Sequence, residues 1–209
     1  MKTVFRIGLA QINPVVGDLS YNEQLIAAVV GDAENRECDI VFFPELSLCG
    51  YPPEDLMLEQ QFIKDNQKHL SRLSRLSATP MFVVGYVEGD GGKLYNSAAL
   101  IANGKLLHSY RKVCLPNYGV FDEQRYFASG DEIPVYRLDD FGIGINICED
   151  IWINPGPGDL QAAHGAGLVV TVNSSPYHVR KSNDRIEMLR KFAKRNQVFY
   201  AYVNLVGGL

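Results

Sequence analysis

The sequence has few cysteines and no excess of basic residues, and each shortage excludes a class of protein. Its four cysteines in 209 residues are too few for a disulfide scaffold, and none forms a Cys-x-x-Cys pair, so reduced thiols are expected. Twenty Lys and Arg stand against 24 Asp and Glu, which gives a net charge of −4. Proteins that bind nucleic acid or anionic membranes carry basic stripes, so we expect neither partner.

Long apolar runs and paired histidines are missing as well. No apolar stretch approaches the ~18 residues that a membrane span needs, and polar residues at Arg6, Gln11 and Asn13 interrupt the N-terminal run without a cleavage pattern after it. The four histidines are scattered, so no metal site is predicted. The composition, 46% hydrophobic and 21% charged, is that of a globular domain. We expect a cytoplasmic chain that acts on a small molecule or another protein.

Strand and helix patterns alternate along the chain. A capping box at Ser20 and Glu23 predicts the start of a first helix, and Asn103-Gly104 predicts a tight hairpin. Further helices are predicted at about 54–77 and 184–196, and strands at 4–12, 39–43, 81–87, 95–102, 106–113, 142–147, 168–172 and 198–206. This alternation indicates one α/β domain with layered packing, and by itself it suggests a doubly wound single sheet.

The last seven residues, 203–209, read as a strand followed by a turn rather than as a polar tail. This ending leads us to expect that the sequence is a fragment, or that a continuation has been removed.

Three residues that could carry chemistry stand at the ends of predicted strands: Glu45, Lys112 and Cys148. Open α/β sheets place ligands at such ends, and Glu and Lys are rarely buried unless they are paired. A carboxylate can take a proton from a thiol, and an ammonium can stabilise the oxyanion that forms when the sulfur attacks an amide or nitrile carbon. Such a set needs neither metal nor cofactor.

The residues alone leave simpler interpretations open. Cys148 could be a small core side chain, Lys112 a solvated strand end, and Glu45 a helix cap or the partner of an arginine. Spacing along the chain does not show that the three side chains meet.

Three motifs in order resemble the nitrilase, or carbon–nitrogen hydrolase, superfamily. They are FFPEL at 42–46 followed by CGY at 49–51, RKVCLP at 111–116, and GINICED at 144–150. The resemblance implies that Glu45 is the general base, that Lys112 stabilises the transition state and that Cys148 is the nucleophile. It also implies a four-layer αββα sandwich, with two sheets faced by helices, in place of a single doubly wound sheet.

Finer matches resemble the glutaminase domain of the glutamine-dependent NAD synthetase family: AQINP at 10–14, VGD at 16–18, YPPEDL at 51–56 and CEDIW at 148–152. In that family the domain hydrolyses glutamine and passes ammonia to a second, ATP-using domain that amidates deamido-NAD to NAD. The resemblance implies that glutamine is held by Tyr118, Ser175 and Lys181, with Glu123 as a further polar group near the base and the lysine.

Some of these assignments have alternatives. Arg180 precedes Lys181 and could bind the substrate carboxylate in its place. Tyr118 could be a loop aromatic that covers the sheet, and Ser175 could belong to an Asn-Ser-Ser-Pro turn.

The sequence departs from the synthetase family in two respects. No Ser-Gly-Gly-x-Asp-Ser loop of the synthetase type occurs, and the glutaminase domain of that family continues with further strands. Residues 1–209 are therefore expected to be one nitrilase-like glutaminase domain that lacks its C-terminal end and the synthetase domain. No cofactor is expected for the glutaminase step, ATP and Mg²⁺ are assigned to the missing domain, and a homo-oligomer is expected.

Two alternative functions remain at this point. The chain could be a free-standing amidase of the same superfamily with another substrate. It could also be an inactive assembly module, in which an exposed sheet edge serves as a pairing surface.

Overall fold

A computed structural model describes residues 4–119, 121–176, 179 and 181–207. The helices are α1 (Leu19–Asn35), α2 (Gln60–Leu73), α3 (Pro157–Ala163) and α4 (Lys181–Asn196). The strands are β1 (Ile7–Leu9), β2 (Ile40–Phe42), β3 (Met81–Asp90), β4 (Lys93–Ala102), β5 (Lys105–Arg111), β6 (Val135–Leu138), β7 (Phe141–Ile147), β8 (Leu168–Asn173) and β9 (Phe199–Asn204). Short 3₁₀ turns occupy Glu54–Leu58, Glu123–Arg125 and Cys148–Ile151. Within the described part of the chain, no helix is both long and apolar enough to cross a membrane.

The strands form two separate sheets. One has five strands in the order β1-β2-β3-β4-β5, and the other has four in the order β6-β7-β8-β9. The pairs β1–β2, β2–β3, β7–β8 and β8–β9 are parallel, whereas β3–β4, β4–β5 and β6–β7 are antiparallel. Parallel neighbours need a crossover, and helices supply it.

The two sheets pack face to face with helices outside them. In β2, Ile40 and Phe42 join the apolar cluster between the sheets, whereas Val41 joins the cluster under α1 and α2. A third cluster, which includes Phe192 of α4, covers the outer face of the second sheet. The αββα sandwich predicted from the family resemblance is thus confirmed, and the single doubly wound sheet suggested by the strand pattern is wrong. Because both faces of β2 are buried, this strand reads as a continuous apolar run.

The hairpin prediction is confirmed, whereas the predicted capping box is wrong. Asn103 and Gly104 have φ of 52° and 71° and form the two-residue turn between β4 and β5, as a type I′ turn requires. Helix α1 begins at Leu19, one residue before Ser20, and its N-cap is Asp18, whose carboxylate accepts from the Tyr21 amide at 3.0 Å. The Glu23 carboxylate contacts His69 of α2 instead.

The helix predicted at 54–77 is divided in the structure. Glu59 adopts an extended conformation with φ of −89° and ψ of 102°, which separates the first 3₁₀ turn from α2. Two elements have no counterpart in the sequence prediction, namely β6 and α3. The short β6 is half-buried and does not alternate clearly, and α3 spans 7 residues, so neither gives a strong periodic signal.

Candidate active site

Glu45 lies just after β2 and is 1% exposed. One carboxylate oxygen, Oε1, accepts from Asn96 Nδ2 of β4 and from Lys112 Nζ, both at 2.8 Å. The other, Oε2, accepts from the Ser174 amide at 2.9 Å. The Ser174 hydroxyl in turn donates to the Glu45 backbone carbonyl at 2.7 Å. Donors from both sheets therefore fix the orientation of this carboxylate.

Lys112 follows β5 directly, and its side chain is 0% exposed. Its ammonium lies between two carboxylates, 2.8 Å from Glu45 Oε1 and 2.8 Å from each oxygen of Glu123. Burial by itself lowers the pKa of Lys112, but the Glu45 and Glu123 carboxylates outweigh burial and raise it well above its ordinary value. Lys112 is thus a permanently charged ammonium and is not a solvated strand end.

Glu123 completes this cluster of charges from the 3₁₀ turn Glu123–Arg125. Burial raises the pKa of Glu123 to about 7, with the Lys112 ammonium acting in the opposite direction and the Glu45 carboxylate in the same one. The Tyr51 hydroxyl donates to Glu123 Oε1 at 3.4 Å. One ammonium faces two carboxylates, so the cluster carries an excess of negative charge until Glu123 takes up a proton.

Cys148 is buried at the end of β7, where the strand turns sharply into the 3₁₀ turn Cys148–Ile151. Its φ of 44° lies in the left-handed region, which costs a residue with a side chain roughly 1–2 kcal/mol. Burial raises the pKa of the Cys148 thiol well above its ordinary value, the Glu45 charge raises it further, and the Lys112 ammonium lowers it. The sulfur is therefore an uncharged thiol near neutral pH.

The turn that carries Cys148 is held by Asp150, a residue to which the sequence analysis gave no role. The buried Asp150 carboxylate accepts from the Ile147 amide, the Cys114 amide and the Tyr110 hydroxyl, each at 2.8 Å. These bonds join the end of β7 to β5 and to the segment after Lys112. The signal that could have revealed Asp150 is an acid two positions after Cys148, in a segment that is otherwise buried.

The structure brings the three candidate residues and Glu123 into one region. The Lys112 ammonium donates hydrogen bonds to the carboxylates of Glu45 and Glu123, and the charges of all three residues act on the Cys148 thiol. Glu45 caps no helix, because its carboxylate binds the Lys112 ammonium, the Asn96 amide and the Ser174 backbone. A proton acceptor and a fixed cation beside a thiol are what nucleophilic attack on a carbonyl carbon requires.

The residues predicted to hold a substrate lie around this region in different environments. Tyr118 is 58% exposed, and its hydroxyl donates to both oxygens of Glu149, the neighbour of Cys148, at 3.0 and 2.9 Å. Ser175 is buried, with its amide donating to Asn204 Oδ1 at 2.9 Å. Lys181 is the first residue of α4, and its ammonium donates to the Pro176 carbonyl at 3.0 Å. The alternative to it, Arg180, lies outside the described residues.

A cavity of about 570 Å³ opens beside this cluster. Its lining includes Tyr51, Phe121, Glu123, Tyr126 and Pro176. The cavity therefore reaches the glutamate that pairs with Lys112 and the segment that follows Ser175.

Known proteins with a similar sequence relate this chain to one family. The model of the carbon–nitrogen hydrolase family matches residues 6–209. Over 208 residues the chain is 41% identical to a glutamine-dependent NAD(+) synthetase of Thermotoga maritima, a match that covers 97% of this chain and 36% of that relative. The chain thus spans about a third of the length of this curated relative.

Two solved structures share the fold. A glutamine-dependent NAD+ synthetase from Acinetobacter baumannii, in complex with ADP, superposes with a TM-score of 0.94 at 38% identity, covering 98% of this chain and 39% of that one. An amidase from Nesterenkonia sp. superposes with a TM-score of 0.86 at 24% identity, covering 98% of this chain and 77% of that one. At that identity the amidase shows the fold alone.

Proposed function

Because this chain belongs to the carbon–nitrogen hydrolase family, we propose that it hydrolyses the side-chain amide of glutamine with Cys148 as nucleophile, Glu45 as general base and Lys112 as oxyanion-stabilising cation. The single observation that carries the proposal is the buried Glu45–Lys112–Glu123 cluster whose charges act on the Cys148 thiol. Glutamine as the substrate is supported by the name of the Thermotoga relative.

In the first step, the Cys148 sulfur attacks the amide carbon of glutamine and its proton moves to Glu45. The pKa of the thiol lies well above its ordinary value because of burial, so a free thiolate is scarce and proton transfer must accompany attack. A new C–S bond forms while the C=O π pair moves to oxygen. The Lys112 ammonium stabilises this oxygen by donating a hydrogen bond to it.

In the second step, the protonated Glu45 returns its proton to the departing nitrogen. The C–N bond breaks, ammonia leaves, and a thioester remains on Cys148. A water molecule then attacks the thioester carbon while Glu45 takes one of its protons. The C–S bond breaks, glutamate leaves and the thiol regains its proton, so the sum is glutamine plus water to glutamate plus ammonia.

Glu123 acts in this scheme through Lys112. Both of its oxygens accept from the ammonium at 2.8 Å, which leaves Lys112 little freedom to rotate. Lys112 is thereby held in place when the negative charge develops on the substrate oxygen.

The proposal extends to the fate of the ammonia. The relatives reported above are named glutamine-dependent NAD(+) synthetases. This chain covers 36% of the length of the Thermotoga protein. We propose that the ammonia serves ATP-dependent amidation of deamido-NAD to NAD by a separate synthetase domain, where ATP and Mg²⁺ bind. Tyr118, Ser175 and Lys181 are proposed to hold the glutamine, with Glu123 beside the base and the lysine.

A Glu45→Gln variant tests the general base. Glutamine keeps the size of the side chain but cannot take the thiol proton, so kcat for ammonia release should fall by about 10²–10⁴-fold. The Glu45 charge raises the pKa of Cys148, so its removal should lower that pKa. Alkylation of Cys148 by iodoacetamide, followed from pH 6 to 9, should therefore be at least as fast in the variant as in the wild type at each pH.

The matched control is Glu23→Gln, which removes a carboxylate between α1 and α2, and it should leave kcat near the wild-type value. Glutamine turnover that stays within tenfold of the wild type in Glu45→Gln would contradict the role of Glu45 as a base. Equal loss of turnover and of alkylation would assign Glu45 a structural role instead.

A further inference from the structure

The Asp150 carboxylate joins the two sheets beside the proposed active site. Asp150 follows β7 of the four-stranded sheet, whereas Tyr110 belongs to β5 of the five-stranded sheet. Both residues are 1% exposed, and the Tyr110 hydroxyl donates to Asp150 Oδ2 at 2.8 Å. Asp150 Oδ1 accepts from the Cys114 amide, also at 2.8 Å. Because a buried carboxylate loses free energy when a donor is withdrawn, these bonds oppose any sliding of one sheet over the other.

The two bonds between the sheets lie on either side of Lys112. Tyr110 precedes the lysine by two residues, and Cys114 follows it by two. The backbone of Lys112 is fixed to the five-stranded sheet, because its amide donates to the Asn96 carbonyl at 2.8 Å. Asp150 is therefore bonded to the chain just before and just after the residue that carries the ammonium.

The same carboxylate fixes the turn that carries the proposed nucleophile. Asp150 Oδ2 also accepts from the Ile147 amide at 2.8 Å, and Cys148 lies between these two residues. The φ of Cys148 is 44°, and a residue with a side chain keeps such a conformation only where its surroundings impose it. One carboxylate thus holds both the turn with the sulfur and the chain on each side of the ammonium.

We infer that Asp150 is a positioning residue of the proposed amide hydrolysis, which sets the separation between the Cys148 sulfur and the Lys112 ammonium. The sulfur must reach the amide carbon while the ammonium reaches the oxygen that becomes negative, and the two groups are carried by different sheets. A misplacement of about 1 Å between reacting groups can lower a rate by about 10²-fold. Asp150 acts through the backbone of the two segments, and this inference rests on the proposed function.

Two substitutions weaken the links between the sheets and keep the bond within the turn. Tyr110→Phe removes the hydroxyl that donates to Asp150. Asp150→Asn keeps the size of the side chain but has one acceptor oxygen in place of two. When that oxygen stays on the Ile147 amide, the new NH₂ group faces the Cys114 amide, so two donors oppose each other.

Both variants should lose turnover rather than substrate binding. We expect kcat for ammonia release to fall about 3- to 10-fold in Tyr110→Phe and about 10- to 100-fold in Asp150→Asn. KM for glutamine should stay within about threefold of the wild-type value, as it does when only transition-state stabilisation is lost. Alkylation of Cys148 by iodoacetamide needs the thiol but no oxyanion cation, so its rate should also stay within about threefold.

Tyr86→Phe is the matched control, because it removes a buried hydroxyl that is bonded to Ser109 Oγ at 2.9 Å within the five-stranded sheet. It should lower the midpoint of urea unfolding about as much as Tyr110→Phe and leave kcat near the wild-type value. An unchanged kcat in Tyr110→Phe and Asp150→Asn, or an equal loss of kcat in the control, would overturn the inference. Alkylation that falls in step with kcat would overturn it too. If Asp150→Asn does not fold, Tyr110→Phe decides alone.

A wild-type protein that releases no ammonia from glutamine would refute the proposed function but not the positioning role. Crystal structures of the wild type and the variants then supply the readout. The separation between Cys148 Sγ and Lys112 Nζ should change by about 1 Å in Asp150→Asn, by less in Tyr110→Phe, and not at all in Tyr86→Phe. The same separation in all four proteins would overturn the inference.

Discussion

Replacing Cys148 with alanine is expected to reduce ammonia release from glutamine by at least about 10³-fold, because the sulfur forms the bond to the amide carbon and no other group can take its place. The fold should persist. Alanine keeps the Cβ atom, so the φ of 44° costs the variant what it costs the wild type. The Asp150 hydrogen bonds that hold the turn involve backbone amides and Tyr110, not the sulfur.

Activity is measured as ammonia released from glutamine, and the fold is followed by circular dichroism and thermal unfolding. The matched control is Cys38→Ala, which removes a buried thiol from the cluster under α1 and α2. It should cost some stability through a small cavity but leave turnover near the wild-type value. Wild-type turnover in Cys148→Ala would contradict the proposed nucleophile.

Replacing Lys112 with methionine is expected to have the largest effect on stability. The ammonium is fully buried between Glu45 and Glu123, and its removal leaves two buried carboxylates without a counter-charge. Breaking a buried pair in this way typically costs about 3–5 kcal/mol of unfolding free energy. Ammonia release should be lost as well, since the oxyanion loses its cation.

The stability loss should depend on pH in a defined direction. Burial already raises the pKa of Glu123 to about 7 although Lys112 lowers it, so without Lys112 the pKa should rise further. A carboxyl whose pKa is raised on folding contributes stability below its unfolded pKa and loses it as the pH rises through the folded pKa. Urea unfolding of Lys112→Met should therefore show a smaller deficit at pH 5 than at pH 8.

The control for this experiment is Lys191→Met, which breaks the exposed pair with Glu187 on α4. Exposed pairs of this kind contribute little to stability because water screens them, so the midpoint of urea unfolding should hardly move at either pH. A deficit in Lys112→Met that equals that of the control, or that is the same at pH 5 and pH 8, would show that the cluster is not held by its charges.

The local sequence pattern predicts where the three proposed catalytic residues lie along the chain. It does not predict that their side chains come together in the folded protein. Glu45, Lys112 and Cys148 each follow a predicted strand, and residue alternation and strand length indicate where such strands end. That Glu45 also binds the backbone of Ser174, 129 residues away, depends on how the two sheets pack. The strand pattern alone suggested one sheet, and the family resemblance was needed to predict two.

Local signals failed where two residues compete for one role. Asp18 and Ser20 are both suitable N-caps, and the choice depends on the preceding turn, where Gly17 has φ of 81° and its amide donates to the Cys49 carbonyl at 2.8 Å. The role of Asp150 escapes local pattern for a different reason: its three donors come from β5, β7 and the segment after Lys112, and they converge only when the chain is folded. The roles of Tyr118, Ser175 and Lys181 stay predictions from resemblance.

The most direct test of the central claim uses a chloroketone analogue of glutamine, whose reactive carbon takes the place of the side-chain amide. After the reaction, mass-spectrometric mapping of the protein identifies the cysteine whose sulfur has attacked that carbon. We expect the label on Cys148 alone, with glutamine slowing its appearance. Label spread evenly over Cys38, Cys49, Cys114 and Cys148, or placed on a cysteine other than Cys148, would contradict the assignment of Cys148 as the nucleophile.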